Sequence, residues 1–99
     1  VRITNSKSRI FTQAKQAFEA SNLRAIHRNG LYIVYSYKWY PIFVCDMQSG
    51  EWFENQEHYS VSTSRQKSQS HPNSDTRLRS TEELKEIIRK ANSNQEKIA

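Results

Sequence analysis

The chain has 99 residues and a mass of 11.7 kDa, which suits one small domain with one modest core and leaves no room for a second. Hydrophobic residues make up 35% and aromatics 11%, so the core must lean on a few large rings, while one cysteine, Cys45, excludes an internal disulfide framework and fits a reducing cytoplasm. The net charge of +5 favours acidic or polyanionic partners. Neither an apolar run long enough to span a membrane nor the apolar segment of a signal peptide is visible, so a soluble protein of the host cytoplasm is expected.

In chain order, residues 6–20 place Ile10, Phe11, Ala14, Ala17 and Phe18 on one stripe of an expected helix capped by Asn5 or Ser6. Asn29-Gly30 is the strongest hairpin signal, because a type I′ turn needs positive φ at both central residues; it sets strands at about 23–28 and 31–37. In the second of these, both alternating faces are largely apolar, as in a central strand. Pro41 starts a third strand, Gly50 marks a turn, and "EWFEN" is a fourth. "HYSVSTS", from residue 58, is a possible short fifth strand, followed by a polar stretch to residue 76 with no apolar residue after Val61. "STEELKEIIRKAN" is an amphipathic helix with Ser80 and Glu83 as a capping box and Leu84, Ile87, Ile88 and Ala91 on its apolar stripe.

The expected fold is therefore α+β, with a four- or five-stranded antiparallel sheet and an N-terminal and a C-terminal helix packed on one face. One domain spans 1–92, with 93–99 as a frayed tail. The uncovered sheet face would then expose or lend to a partner aromatics from among Tyr32, Trp39, Tyr40, Phe43 and Trp52.

Few constellations carry chemistry. His27, His58 and His71 share no metal-ligand spacing with each other or with a cysteine, so no metal and no cofactor is expected. Cys45, mid-strand beside Asp46, reads as a packed residue rather than a nucleophile. Glu51 and Glu54 have opposite strand parity and form no carboxylate dyad. With no catalytic set, the expectation is a protein that is not an enzyme, although a ribonuclease using His27 or His58 is conceivable from residue types alone.

Charge is unevenly spread: +5 over residues 1–28, −3 over 29–59, +3 over 60–79 and zero over 80–99. "STSRQKSQSH" combines hydroxyls with cations, the groups that contact phosphate oxygens. The expected nucleic-acid contacts in and after it are Ser64, Arg65, Lys67, Ser68, Gln69, Arg77 and Arg79, joined by Lys7 and Arg9 from the N-terminus.

Three blocks, in order, carry a resemblance over roughly residues 31–69. Tyr32, Val34, Tyr35, Ser36 and Tyr37 match Y-V-V-Y-S-Y-G; Pro41 is followed by Trp52, Phe53 and Asn55 in W-[YF]-x-N; and Tyr59, Ser60, Thr63, Ser64, Arg65, Ser68 and Gln69 match Y-S-x-T-T-S-[RK]-H-x-S-Q. The chain thus resembles a family of small phage and mobile-element proteins. The resemblance implies an origin more than a mechanism. Lys38 replaces the pattern's Gly and Gln66 its His, removing the one residue of that segment able to act as a base near neutral pH.

The leading expectation is a non-enzymatic binding module of phage or mobile-element type, contacting DNA or RNA mainly through phosphates. The alternative is a protein-directed, anti-CRISPR-like inhibitor of a host nucleic-acid-binding protein that acts by occlusion through the acidic 46–57 region. Neither reading involves a membrane, and nothing in the sequence specifies an oligomeric state.

Overall fold

The computed structural model describes residues 2–37, 39–57 and 66–98, with side chains described up to residue 93. The chain begins with a 3₁₀ turn, Asn5–Lys7, that runs into helix α1, Ser8–Gln13. Six strands follow: β1 Phe18–Glu19, β2 Leu23–Arg28, β3 Leu31–Ser36, β4 Tyr40–Asp46, β5 Trp52–Asn55 and β6 Thr76–Arg79. Residues 66–69 are helical (α2), and helix α3 covers Thr81–Ile98. The strands form one sheet in the order β1-β2-β3-β4-β5-β6, antiparallel except for the parallel β5–β6 pair.

The expected N-terminal helix is cut short after Gln13. Lys15 turns into the left-handed region (φ 54°), its N–H bonds Thr12 O at 3.0 Å, and the Gln16 N–H reaches back to Phe11 O at 2.9 Å. These two bonds are a Schellman stop with lysine where glycine is usual, so no glycine announced it. Ala14, Ala17 and Ile10 consequently lie exposed, Ile10 by 69%, while Phe18 enters the sheet and is buried.

The β2–β3 hairpin follows its turn chemistry: Asn29 and Gly30 have φ of 52° and 81°, and Arg28 pairs with Leu31. Strand β3 is central and buried on both sides, Leu31 and Ile33 facing one core and Tyr32 and Val34 the other. A bulge in β4 sets Tyr35 against Pro41 and Val34 against Phe43, leaving Ile42 as the extra residue. The Asp46 carboxylate accepts the Gln48 N–H at 2.9 Å in the next turn, which closes at Gly50 (φ 78°).

Two features of the sheet differ from the expectation. Residues 76–79 add a sixth strand parallel to β5, so the sheet is mixed. The helices, moreover, lie on opposite faces. Phe11 of α1 packs with Tyr32, Val34, Phe43 and Trp52, whereas Leu84, Ile87 and Ile88 of α3 pack with Leu31, Ile33 and Val44. With both faces covered, Tyr32, Tyr40, Phe43 and Trp52 are core residues, and of the five named aromatics Trp39 alone is exposed, by 50%. The possible strand from residue 58 lies outside the described residues.

A buried polar web joins the upper ends of these elements. Asn55 donates to Pro41 O at 2.8 Å and exchanges hydrogen bonds with Thr81, whose hydroxyl also meets that of Tyr40 at 3.0 Å. The Ser36 hydroxyl donates to Gln66 Oε1 at 2.5 Å, and Gln66 donates to Asn22 O at 3.1 Å. Helix α3 starts at the expected capping box, with Glu83 N–H to Ser80 Oγ at 3.2 Å and Ser80 N–H to Glu83 Oε1 at 2.9 Å.

Candidate nucleic-acid interface

Strand parity decides where the charges of β2 go. Ala25 belongs to the core beneath α1, so Arg24, Ile26 and Arg28 project from the opposite face, the one carrying α3. There Arg24 stands beside Tyr35 on β3 and Glu19 on β1, while Arg28 stands beside Leu31. The two arginines are about 13 Å apart along the strand. Arg2 joins the row through an isolated bridge to Glu19.

Helix α3 crosses this face obliquely. Its first turn is tied to Asn55 and Tyr40, and farther on Asn92 Oδ1 accepts a hydrogen bond from Asn29 at the β2–β3 turn. The helix therefore covers Ile33, Val44 and Phe53, with Ile26 and Tyr35 packed at the edge of the same cluster, and leaves Arg24 and Arg28 of β2 uncovered. Arg24 and Arg28 are exposed, with Ile26 half-buried between them and Tyr35, also half-buried, across from Arg24. At about 100° per residue, Lys85 and Arg89 fall on the helix flank of Asn92, toward β2. The other flank carries Glu83, Glu86 and Lys90, which with Arg79 and Ile87 line a cleft of about 220 Å³. Arg89 is bound to Glu86.

Tyr35 reports the local field. Burial raises its phenol above the usual range, and the charges of Arg28, then Arg24, pull it back. The result is a basic strip with one partly open aromatic ring and an aliphatic floor. It was legible in part: "LRAIHR" on a predicted strand already puts Arg24, Ile26 and Arg28 on one side.

The residues expected to form the interface are not assembled into one surface. Ser64 and Arg65 lie outside the described residues. Lys67 is only 7% exposed, and its ammonium donates to Asn55 O and, at 3.1 Å, to Glu57 O, so it is turned inward to close the gap between the β5 end and α2. Burial lowers its pKa, with Glu54 opposing. Gln69 is half-buried, and its carbonyl accepts from Ser8 Oγ at 3.0 Å. Ser68 and Arg9 do meet, Arg9 of α1 donating to the Ser68 carbonyl of α2, but at an exposed contact on the other side of the sheet from α3. Lys7 is exposed in the 3₁₀ turn. Arg77 is ion-paired with Glu51, and Arg79 lies over the Phe53 ring at 5.6 Å with its guanidinium on Leu78 O at 2.8 Å. That end of the sheet is mixed in charge rather than basic.

The acids are similarly engaged. Asp46 holds its turn, Glu54 accepts from Thr76 Oγ1 at 2.8 Å, and Glu57 accepts from the Thr81 N–H at 3.4 Å, at the positive end of α3. Glu51 and Glu54 face opposite sides of the sheet, as parity requires. Of the histidines, His27 donates through Nε2 to Lys15 O at 2.8 Å, and His71 accepts the Asn73 N–H at Nδ1 (3.0 Å) with Nε2 3.8 Å from Glu54. His58 lies outside the described residues. The Cys45 thiol is fully buried and raised in pKa by desolvation. Among the described residues no three His, Cys, Asp or Glu side chains are grouped to hold a metal ion, and no helix is long and apolar enough to cross a membrane.

Compared with protein-family models, curated proteins and solved structures, the chain matches none.

Proposed function

We propose that the protein is a non-enzymatic nucleic-acid-binding module, acting in the cytoplasm of a host cell, that grips phosphates along β2 and stacks a base on Tyr35. The observation that carries this reading is the placement of Arg24, directly across from Tyr35, and of Arg28, four residues farther along β2 on the same face, on the part of the sheet that α3 leaves open. Guanidinium groups fork onto phosphate oxygens, and an aromatic ring on a sheet offers a sequence-tolerant platform for an unpaired base. Lys85 on the helix flank extends the positive strip, and Glu19 is its one carboxylate neighbour in the sheet register. The geometry favours single strands over duplexes, because the ring can stack only on a base that is not already stacked.

The test is fluorescence anisotropy with a labelled single-stranded oligonucleotide across a salt series. Binding should weaken by about 0.7 in log K per unit of log salt for each phosphate neutralised. Absence of binding, or binding indifferent to salt, would overturn the proposal. The occluding-inhibitor reading draws less support, since the acids it needs are committed to turns, ion pairs and a helix end. A protein captured from nuclease-treated host lysate that competes with the oligonucleotide would favour it. A mobile-element origin, expected from the motif resemblance, suits either reading.

A further inference from the structure

A second polar site lies on the other side of the sheet, where Arg9, Ser68, His71 and Asn73 line an open cleft of about 290 Å³. We propose that this cleft binds a phosphoryl group, either as inorganic phosphate or as the phosphate of a mononucleotide. Its volume is near the lower end for small-molecule sites, roughly 300 Å³, and its walls offer hydrogen-bond donors rather than apolar surface.

The donors are held in place by the fold. Ser8 Oγ donates to Gln69 O at 3.0 Å, riveting α1 to α2, and the adjacent Arg9 spends one guanidinium N–H on the Ser68 carbonyl. A guanidinium has five N–H donors, so the rest of the fork stays available. The His71 ring is set edge-on against Phe43 with centroids 5.5 Å apart, and its Nδ1 accepts the Asn73 N–H. That turn puts Asn73 in the left-handed region, with φ 57°. The Ser68 hydroxyl and the Asn73 side-chain amide make no hydrogen bond to described residues, so both have capacity for a ligand. Among the described residues no carboxylate lines the cleft; Glu54 faces the far nitrogen of His71 and accepts from Thr76. One fixed cation with two unspent neutral donors is the composition of an oxyanion site.

The experiment is a two-dimensional amide NMR titration of the intact chain, first with inorganic phosphate, then with a nucleoside 5′-monophosphate and the matching nucleoside. Saturable shifts of the Ser68, His71 and Asn73 amides by phosphate are expected. Arg9→Gln should weaken binding about tenfold. Asn73→Gly, which keeps the left-handed backbone available, should weaken it severalfold without disturbing the fold. Tighter binding of the monophosphate than of inorganic phosphate assigns a nucleotide, and equal binding assigns the phosphoryl group alone; either supports the site. Arg24→Gln, whatever it does to signals along β2, should leave the saturable shifts of the Ser68, His71 and Asn73 amides unchanged, which separates this cleft from the β2 strip. If phosphate produces no saturable shifts, or if Arg9→Gln leaves them intact, the proposal is wrong.

Discussion

The ammonium of Lys67 donates to the backbone carbonyl of Glu57 over 3.1 Å, so a lysine from a hydroxyl-rich polar stretch serves as a buried clamp. Its second bond, to Asn55 O, fixes the end of β5 at the same point. Removing the ammonium leaves two buried carbonyls without their donor. Lys67→Ala should cost about 2–3 kcal/mol in chemical denaturation, whereas its effect on the salt slope of oligonucleotide binding should be nil.

Alkaline pH should act through two opposing groups. Burial lowers the pKa of Lys67 from 10.5, so the unfolded chain holds that proton more tightly, and stability rises with pH between the folded value and 10.5. Burial raises Tyr32 well above 10.0, and Tyr35 in the same direction, so the stability they contribute is complete below about pH 10 and is lost as pH climbs beyond it. Urea midpoints measured from neutral pH upward should pass through a maximum and then fall. Tyr32→Phe should blunt the fall, while losing the hydrogen bond to Gln16 O at 2.7 Å.

Lys15 holds a left-handed conformation that glycine adopts without a Cβ penalty. Lys15→Gly should therefore stabilise the fold by about 1 kcal/mol. Thermal or urea denaturation reads the gain; a loss would mean that contacts of the Lys15 side chain outweigh the backbone preference.

Asn55 gathers β4, β5 and α3 around one side chain: it bonds Pro41 O and Thr81, and it accepts the Glu57 N–H at 2.8 Å. Asn55→Ala leaves several buried partners unsatisfied at once, with an expected cost of about 3 kcal/mol. Ser80→Ala, which removes only an exposed cap, should cost about 1 kcal/mol. The gap between these two variants checks that the web, rather than the cap, anchors α3.

The two ends of the sheet should behave differently toward oligonucleotides. Arg24→Gln and Arg28→Gln should each lower the salt slope by about 0.7 and weaken binding. Arg77→Gln and Arg79→Gln, at the far end of the sheet where Glu51 pairs with Arg77 and Phe53 packs under Arg79, should change little. The reverse pattern would return the interface to the residues that sequence alone suggested.

Much of the frame was legible because its signals are local. Asn29-Gly30 specifies its turn through backbone φ, the alternation of 31–36 marks a strand buried on both faces, and Ser80 with Glu83 caps α3 within four residues. The N-terminal helix was overread because its apolar spacing continues past Lys15, a stop that carries no glycine. Strand β6 was missed because "TRLR" has one apolar residue and gains its place from parallel pairing with β5.

By itself, then, the sequence determined an α+β domain with a β2–β3 hairpin, a central strand and a capped C-terminal helix, since turn chemistry, alternation and capping act over a few residues. Tertiary structure alone decided that the helices cover opposite faces, that Lys67 points inward, that Arg77 pairs with Glu51 and that Arg79 lies over Phe53. Those outcomes depend on which groups far apart in the chain share a dry space. The charge of a lysine or arginine is written in the sequence, but whether it faces water, a carbonyl or a carboxylate is set by what packs around it.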